Sequence, residues 1–275
     1  MFLLVVLASC NKRMESAMKS SDKDYILQIA NEFYDEGKWV NAIELYSKIS
    51  SAFSGTEEGT DIAYKLADAN YKDRSYRLAG HQFKTFYLTH PADSRAEEAA
   101  FRSAYAFYLD SPVYNRDQKS TYNAIDELQL FINNYPESSK VEEANGYINE
   151  LRQKLERKAF EIAKIYYKTM KYKAAGIAFD NVLEDYPDTQ LREEAMMYSL
   201  RSKYELAVNY SRFEDKNLRL QNAMTQHRLF TKAYPDSEFT EEAGKIMTKL
   251  QQDWDKYKAT EAKIEQSKIT AQTKD

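Results

Sequence analysis

The chain has 275 residues and a formal net charge of −4, with 39 Lys and Arg residues against 43 Asp and Glu residues. It therefore has no basic field to collect phosphates, and we expect no nucleic-acid partner. Seven glycines and five prolines are too few for the frequent turns of a β-fold, and one cysteine excludes a disulfide framework within the chain. We expect a nearly all-α protein that is held together by packing.

The first residues predict a lipoprotein signal. Residues 1–9 form a short apolar run that ends in Leu7, Ala8 and Ser9, directly before Cys10. A secretory signal has an apolar core followed by small residues, and in lipoprotein signals, which this segment resembles, the residue after the cut is a lipidated cysteine. The alternative is a buried N-terminal helix with an incidental cysteine. The run is too short for a membrane-spanning helix, which needs about 20 apolar residues. No Lys or Arg precedes the run, so we expect the natural start to lie upstream.

Four segments repeat a pattern in which an apolar residue lies five positions before a proline. The spacing of these prolines falls in the range of helical repeats, at Pro91, Pro136, Pro187 and Pro235. Each proline ends a helix, because its ring cannot continue the helix. A Glu-Glu-Ala triplet follows each proline, and acidic residues suit a first helical turn. Ser94 with Glu97, and Ser139 with Glu142, fit a capping box, so we expect these serines to cap the next helices.

Between the prolines, the sequence matches the helix-turn-helix pattern of tetratricopeptide repeats. The clearest copy covers residues 159–187, the first copy turns at Gly37, and the second has Arg74 where glycine is usual. We predict an all-α tetratricopeptide-repeat solenoid of about five repeats with a C-terminal helix. The predicted segments are a signal peptide (1–9), a lipidated linker (10–23), repeats 1 to 3 (24–140), repeats 4 and 5 with the closing helix (141–258) and a frayed polar tail (259–275).

The sequence shows no catalytic constellation. The three histidines fall on repeat positions or at a helix end, and no nucleophile elbow, P-loop or dinucleotide fingerprint is present. His227 stands where other copies place large core side chains, so we expect it to have a structural role. We expect a protein that is not an enzyme and that needs no metal and no cofactor.

The first helix of each tetratricopeptide pair lines the concave face, so residues there that the core does not require are free to bind a protein segment. Acid-flanked tyrosines suit this role, because an aromatic ring gives contact area at low entropic cost. The alternative, a solvated helix face with scattered aromatics, carries equal weight. The candidate peptide-binding residues are Asp24, Leu27, Asn31, Tyr34 and Asp35 in the first copy and Asp61, Tyr64, Asp68, Tyr71 and Lys72 in the second.

The third copy carries an insert that we expect to be a structural loop or an interface. Its candidate residues are Ser111, Pro112, Tyr114, Arg116, Asp117 and Gln118. The lipoprotein signal, the five repeats, four of which end in Tyr-Pro or His-Pro, and this loop together resemble the BamD family of outer-membrane assembly lipoproteins. The resemblance covers essentially the whole mature chain.

The resemblance implies a lipid-anchored subunit of the β-barrel assembly (BAM) complex on the periplasmic face of the outer membrane. Its N-terminal repeats would bind unfolded outer-membrane proteins, and the region from Tyr172 to Tyr234 would dock a BamA-like barrel subunit. Asn11 after the cysteine, rather than an aspartate, agrees with outer-membrane delivery. Two alternatives stay open: an envelope-coordinating lipoprotein of peptidoglycan synthesis or division, and a glycan-binding surface lipoprotein.

Overall fold

A computed structural model describes residues 12–272, and within this range the secondary structure is α-helical with one short 3-10 turn at Ser50–Phe53 and no strand. The helices form five consecutive pairs, preceded by one short helix and followed by one long helix. The all-α repeat architecture predicted from the sequence is confirmed. The helices are α1 (12–19), α2 (Lys23–Asp35), α3 (Trp39–Ile49), α4 (Glu57–Lys72), α5 (Tyr76–Thr89), α6 (Ala96–Asp110), α7 (Lys119–Asn134), α8 (Val141–Lys168), α9 (Tyr172–Asp185), α10 (Arg192–Val208), α11 (Phe213–Ala233) and α12 (Thr240–Gln272).

The prolines end the second helix of four pairs, and a short polar turn then starts the next helix. In each turn, the residue two positions after the proline accepts a bond from the backbone N–H two residues further on. These accepting side chains are Asp93, Ser138, Thr189 and Ser237, at 2.8 to 3.2 Å. The expected capping boxes are wrong, because α6 and α8 start two residues beyond Ser94 and Ser139. The residues that directly follow the proline form a turn, so the helix starts after them and these serines do not cap it.

Three of the pairs turn through the same backbone geometry. Gly37, Arg74 and Met170 all have positive φ values, of 73°, 66° and 58°. At each turn this residue and the next donate their N–H groups back to carbonyls in the last turn of the first helix, at 2.9 to 3.0 Å. This pair of hydrogen bonds forms a helix C-cap that favours glycine, because a Cβ is crowded in the left-handed region. Arg74 and Met170 therefore adopt a strained conformation that the sequence alone suggested only for Arg74.

The described chain divides into two compact units, one that runs through Arg152 and one that starts at Gln153, within α8. In unit 1, each helix from α2 to α7 packs against the next. Alanines are fully buried where the helices approach, and aromatic side chains such as Phe33, Phe83 and Phe131 fill the remaining space. Each such side chain contributes about 1.5–3 kcal/mol on burial, so packing alone can hold this unit together.

In unit 2, α9 packs on α10, and α10 packs on both α11 and α12. Phe179 and Phe230 are fully buried in its two core clusters. Arg201 on α10 donates from Nε to Glu242 on α12 at 2.7 Å, within a two-pronged pair that ties the closing helix to the unit. His227 is half-buried on α11, and burial lowers the pKa of its imidazole.

Both ends of the described chain are more ordered than the sequence predicted. Residues 12–19, expected to be a linker, form a helix whose Ala17 is buried in the core of the first repeat. Lys48 donates to the last carbonyls of this helix, including that of Met18 at 2.6 Å. The polar tail at 259–275 was expected to be frayed, but α12 continues through most of it to Gln272. Ala, Lys, Glu and Gln are good helix formers, so a polar composition does not end a helix. No helix within residues 12–272 is long and apolar enough to cross a membrane.

Candidate functional site

The first helices of the three pairs in unit 1 are joined by side chains that stand 34 residues apart. Tyr34 on α2 donates its hydroxyl hydrogen to Asp68 on α4, and Arg102 on α6 donates to the same carboxylate. Lys72 lies one turn beyond Asp68 and contacts it at 2.7 Å. Because 34 residues is the repeat period, Tyr34, Asp68 and Arg102 occupy one position in three successive repeats. We call Tyr34, Asp68, Lys72 and Arg102 the Asp68 junction.

The Asp68 junction holds a carboxylate that is almost withdrawn from water, since Asp68 is only 2% exposed. Burial alone would raise the pKa of this carboxyl, but hydrogen bonds from Lys72 and Tyr34 and the charges of Lys72 and Arg102 lower it below its ordinary value. Burial and the bond to Asp68 raise the pKa of Tyr34, so its hydroxyl stays protonated as a donor. The junction is therefore ionised and fixed at neutral pH.

Lys72 also covers the aromatic end of the first pair. Its Nζ atom lies 4.6 Å from the centroid of the Trp39 ring and 4.8 Å from that of Tyr34. The Tyr34 and Trp39 rings meet edge to face, with their centroids 5.5 Å apart. A cation over aromatic faces is attracted by the ring quadrupole, by about 0.5–1 kcal/mol where the group is exposed to water. This corner presents a charge, an indole and a phenol side by side.

A second set of contacts with the same 34-residue spacing runs beside the Asp68 junction. Lys65 on α4 donates to the side-chain oxygen of Asn31 on α2 at 3.0 Å, and Arg95 contacts Asp61 at 2.9 Å. The guanidinium of Arg95 also lies 4.7 Å from the Tyr64 ring centroid. Two neighbouring rows of polar contacts thus fix the spacing of the first helices.

Four tyrosines continue this face from α4 through α6 to the first part of α8. Their ring centroids are 4.4 to 6.4 Å apart, and we call Tyr71, Tyr105, Tyr108 and Tyr147 the tyrosine platform. Tyr108 donates to Glu150, and Tyr147 donates to Glu143 at 2.7 Å. Burial and the bond to Glu150 raise the pKa of Tyr108 to about 12. The platform therefore offers stacked, half-buried rings with carboxylates at its edge.

The structure brings together some of the predicted peptide-binding residues and separates others. Asn31, Tyr34, Asp61, Asp68 and Lys72 lie in the two rows of polar contacts. Asp24 and Asp35 are exposed at opposite ends of α2 and join neither row. The remaining three candidates are half-buried and pack against the core, which the sequence analysis did not anticipate: Leu27, Tyr64 and Tyr71.

The insert of the third pair is closed by its last residue. Gln118 is buried and donates from Nε2 to the carbonyls of Val113 and Arg116, at 2.9 and 3.0 Å. Ser111 lies 2.6 Å from the Thr121 hydroxyl, and that hydroxyl donates to Gln118. Asp117 accepts from the backbone N–H of Lys119. Pro112 and Tyr114 are half-buried, and Arg116 is exposed. The described contacts of Gln118 hold the loop in one conformation.

Sequence reasoning missed Arg102 and three members of the tyrosine platform. The signal was present, because Tyr34, Asp68 and Arg102 follow one another at the repeat period, as do Tyr71 and Tyr105. That period relates residues of different helices, so it is not visible in the pattern of any one helix. Tyr147 had no such signal, since the long α8 does not follow the short pairs in register.

Unit 2 has a separate exposed apolar surface. Met170, Ile177 and Tyr210 are 62%, 54% and 53% exposed, and they line an open cleft of about 480 Å³. Lys171 and Lys173 lie at its edge. Contiguous apolar side chains on a protein surface are typical of an interaction site. We call Met170, Ile177 and Tyr210 the apolar patch.

Comparison with known proteins matches residues 19–218 to the YfiO family, described as an outer membrane lipoprotein. Three similar relatives are each named outer membrane protein assembly factor BamD. The one from Rickettsia prowazekii is 25% identical over 207 residues, covering 73% of this chain and 79% of the relative. The one from Pasteurella multocida is 24% identical over 196 residues, covering 64% and 75%. The one from Caulobacter vibrioides is 22% identical over 175 residues, covering 64% of this chain and 57% of the relative's length.

Proposed function

Because this chain belongs to the YfiO family of outer membrane lipoproteins, we propose that it is a scaffold of the outer-membrane β-barrel assembly machinery. In this role, unit 1 binds segments of unfolded barrel proteins and unit 2 docks a BamA-like barrel subunit. Cys10, which lies outside the described residues, carries the lipid that anchors the protein on the periplasmic face of the outer membrane. The protein acts by binding and positioning.

The observation that carries the proposal is the shared face of α2, α4 and α6 in unit 1. Its polar side chains are already bonded to one another, so the face keeps its shape without a ligand. A preorganised face loses little conformational entropy when a peptide binds. The tyrosine platform supplies ring faces, and the hydroxyls and carboxylates at its edge can satisfy peptide N–H groups. An extended segment of an unfolded protein has exposed side chains that can pack on the rings and unpaired N–H groups that need acceptors.

Peptide binding tests this face directly. A fluorescent peptide from the C-terminal segment of a barrel protein should bind the purified protein, as followed by fluorescence anisotropy. Lys72→Gln should weaken binding by about tenfold, because it removes the cation that lies over the Trp39 ring and the ion pair that helps to fix Asp68. Lys19→Gln is the matched control, since Lys19 is exposed on α1 and pairs only with Glu15 among its described contacts. Equal binding by both variants would place the peptide elsewhere.

The apolar patch supports docking of the partner subunit. Ile177→Glu places a charge in the patch without disturbing the core, because Ile177 is more than half exposed. Affinity capture from membranes should then lose the barrel subunit while the peptide affinity of unit 1 stays unchanged. Leu229→Glu is the control, at an exposed position of α11 that does not line the cleft. If capture with the unmodified protein recovers peptidoglycan enzymes and no barrel subunit, the assembly role is refuted.

The anchor is tested at one atom. Cys10→Ala removes the thiol that would carry the lipid, so the variant should leave the outer-membrane fraction and appear in the periplasm. Its folded state can be checked by circular dichroism, since the described structure begins at residue 12. Normal outer-membrane fractionation of this variant would contradict the lipid anchor.

A further inference from the structure

A cavity of about 440 Å³ lies in unit 1 between the end of α3, the start of α4 and one side of α5. It is separate from the Asp68 junction and from the tyrosine platform, whose residues do not line it. Its volume falls in the range of ligand sites. The side chains of Ala63, Leu66 and Phe86 give it an apolar floor. We call it the hydroxyl pocket, because its rim includes Ser50, Thr56, Thr60, Thr85 and Thr89, together with His81, Gln82 and His90.

Six hydroxyl groups line the pocket, and all but that of Ser54 already donate their hydrogens. Thr85 donates to the carbonyl of His81 at 3.0 Å, and Thr89 donates to that of Thr85 at 2.8 Å. Ser50, Thr56 and Thr60 likewise donate to main-chain carbonyls. A carbonyl can only accept, so each hydroxyl oxygen keeps its two lone pairs. One of these is taken in Thr56, by the N–H of Gly59, and one in Thr89, by His90, which leaves every one of the five oxygens able to accept. The rim of the pocket is therefore rich in acceptors.

The two other polar groups of the rim complete this pattern. Gln82 accepts from Asn70 through its side-chain oxygen at 2.9 Å, which leaves its amide hydrogens as donors. His90 Nδ1 lies 2.8 Å from the Thr89 hydroxyl oxygen and 3.3 Å from the carbonyl of Phe86. Because Thr89 gives its own hydrogen to Thr85, Nδ1 is the donor in both contacts and Nε2 is an acceptor. Among the described residues that line the pocket there is no carboxylate, lysine or arginine. A charged ligand would therefore find no counter-charge there.

We propose that the hydroxyl pocket binds a Trp or Tyr side chain of a polypeptide. The ring lies on the apolar floor, and its N–H or O–H donates to the acceptors of the rim, while Gln82 donates to a main-chain carbonyl of the same segment. A phenylalanine ring fits the floor but leaves the acceptors without a donor. The proposal rests on the proposed function only in taking the ring as part of a protein segment.

The three histidines of the chain make the pocket observable by NMR. His81 and His90 line it, and His227 lies in unit 2 as an internal reference. With histidine-labelled protein, N-acetyl-tryptophanamide should shift the imidazole signals of His81 and His90 in a saturable way and leave His227 in place. N-acetyl-phenylalaninamide should bind about fivefold more weakly, the factor expected for one hydrogen bond.

Substitution of the rim separates hydrogen bonding from simple burial of a ring. The double variant Thr85→Val with Thr89→Val keeps the shape of two exposed side chains and removes their oxygens. It should reduce the affinity for the tryptophan amide to that for the phenylalanine amide. Thr169→Val is the matched control, because Thr169 makes the same bond to a helix carbonyl in unit 2. An unchanged His227 imidazole signal and an unchanged tryptophan emission spectrum, both recorded without ligand, will show that the variants fold.

Three results would overturn the proposal: no shift of His81 and His90, an equal shift of His227, or equal binding of the two amides. A pocket that binds N-acetylglucosamine and neither amide would also overturn it, in favour of a glycan ligand. These outcomes differ from failure of the proposed function. The His81 and His90 signals report on the hydroxyl pocket, whereas the anisotropy assay reports on the face that carries Lys72.

Discussion

Asp68→Asn should destabilise unit 1 specifically. The substitution keeps the size of the side chain but removes the charge that Lys72 and Arg102 share. Removing one partner of a buried ion pair costs about 3–5 kcal/mol, because it leaves an uncompensated charge. Here the Lys72 and Arg102 side chains are 39% and 32% exposed, so water offsets part of the loss. We expect the free energy of unfolding to fall by about 2 kcal/mol.

The two tryptophans of the chain allow this loss to be assigned to one unit. Trp39 lies in unit 1 beside Tyr34, and Trp254 packs against the core of unit 2. In a Trp254→Phe background, the emission of Trp39 reports the urea unfolding of unit 1 alone. Asp68→Asn should move this transition to lower urea with an unchanged slope, which indicates lower stability at constant exposed area.

Glu98→Gln is the control for the charge change. Glu98 also contacts Arg102, at 2.7 Å, but it is 52% exposed and lies one turn away on the same helix. Such a pair contributes about 0.5 kcal/mol or less. If Asp68→Asn costs no more than Glu98→Gln, the withdrawn carboxylate does not hold the first helices together, and the reasoning from burial is wrong.

Three further predictions concern the pKa of Asp68 and the backbone of unit 1. The pKa of Asp68 is lowered by its partners, so its stabilisation is present above the unfolded value near pH 4 and is lost as pH falls through the lower folded value; acid titration of the Trp39 signal should show this loss, and Asp68→Asn should not. Arg74→Gly should raise the free energy of unfolding of unit 1 by about 0.5–1 kcal/mol through relief of a positive φ, seen as a higher urea midpoint, whereas Arg74→Ala should not. Gly59→Ala should cost roughly 1–3 kcal/mol, because its Cβ would lie 2.0 Å from the Phe53 carbonyl oxygen, while Gly146→Ala, with no neighbour within 4 Å, should stabilise α8 by about 0.5–1 kcal/mol.

The fold was predictable because two independent signals agree along the chain. Each proline lies two residues after a helix end, and the apolar residues between prolines follow the helical period. The helix starts were less predictable, because the same polar residues can cap a helix or close a turn. Asp93 closes a turn onto the N–H of Arg95, and α6 starts only at Ala96. Local sequence does not distinguish these two uses.

The candidate site was predictable in part, for a different reason. Tyr34, Asp68 and Lys72 could be found because each lies on the side of a first helix that the core does not need. Whether they touch depends on how successive helices are offset, and a single helix does not contain that information. The repeat period does contain it, since side chains 34 residues apart meet in both rows of contacts. The hydroxyl pocket has no counterpart in the sequence, because it depends on which hydroxyl hydrogens the helix carbonyls already take.

The helix α1 changes what the proposed anchor would do. A free linker of fourteen residues could extend about 49 Å and let the first repeat move far from the membrane. Helical structure instead begins by residue 12, and Arg13 donates at 2.9 Å to Glu36, the C-cap residue of α2. The reach between Cys10 and this docked helix is then only about 7 Å. A lipid on Cys10 would hold the first repeat close to the bilayer surface, so segments bound on unit 1 would stay beside the membrane into which barrel proteins insert.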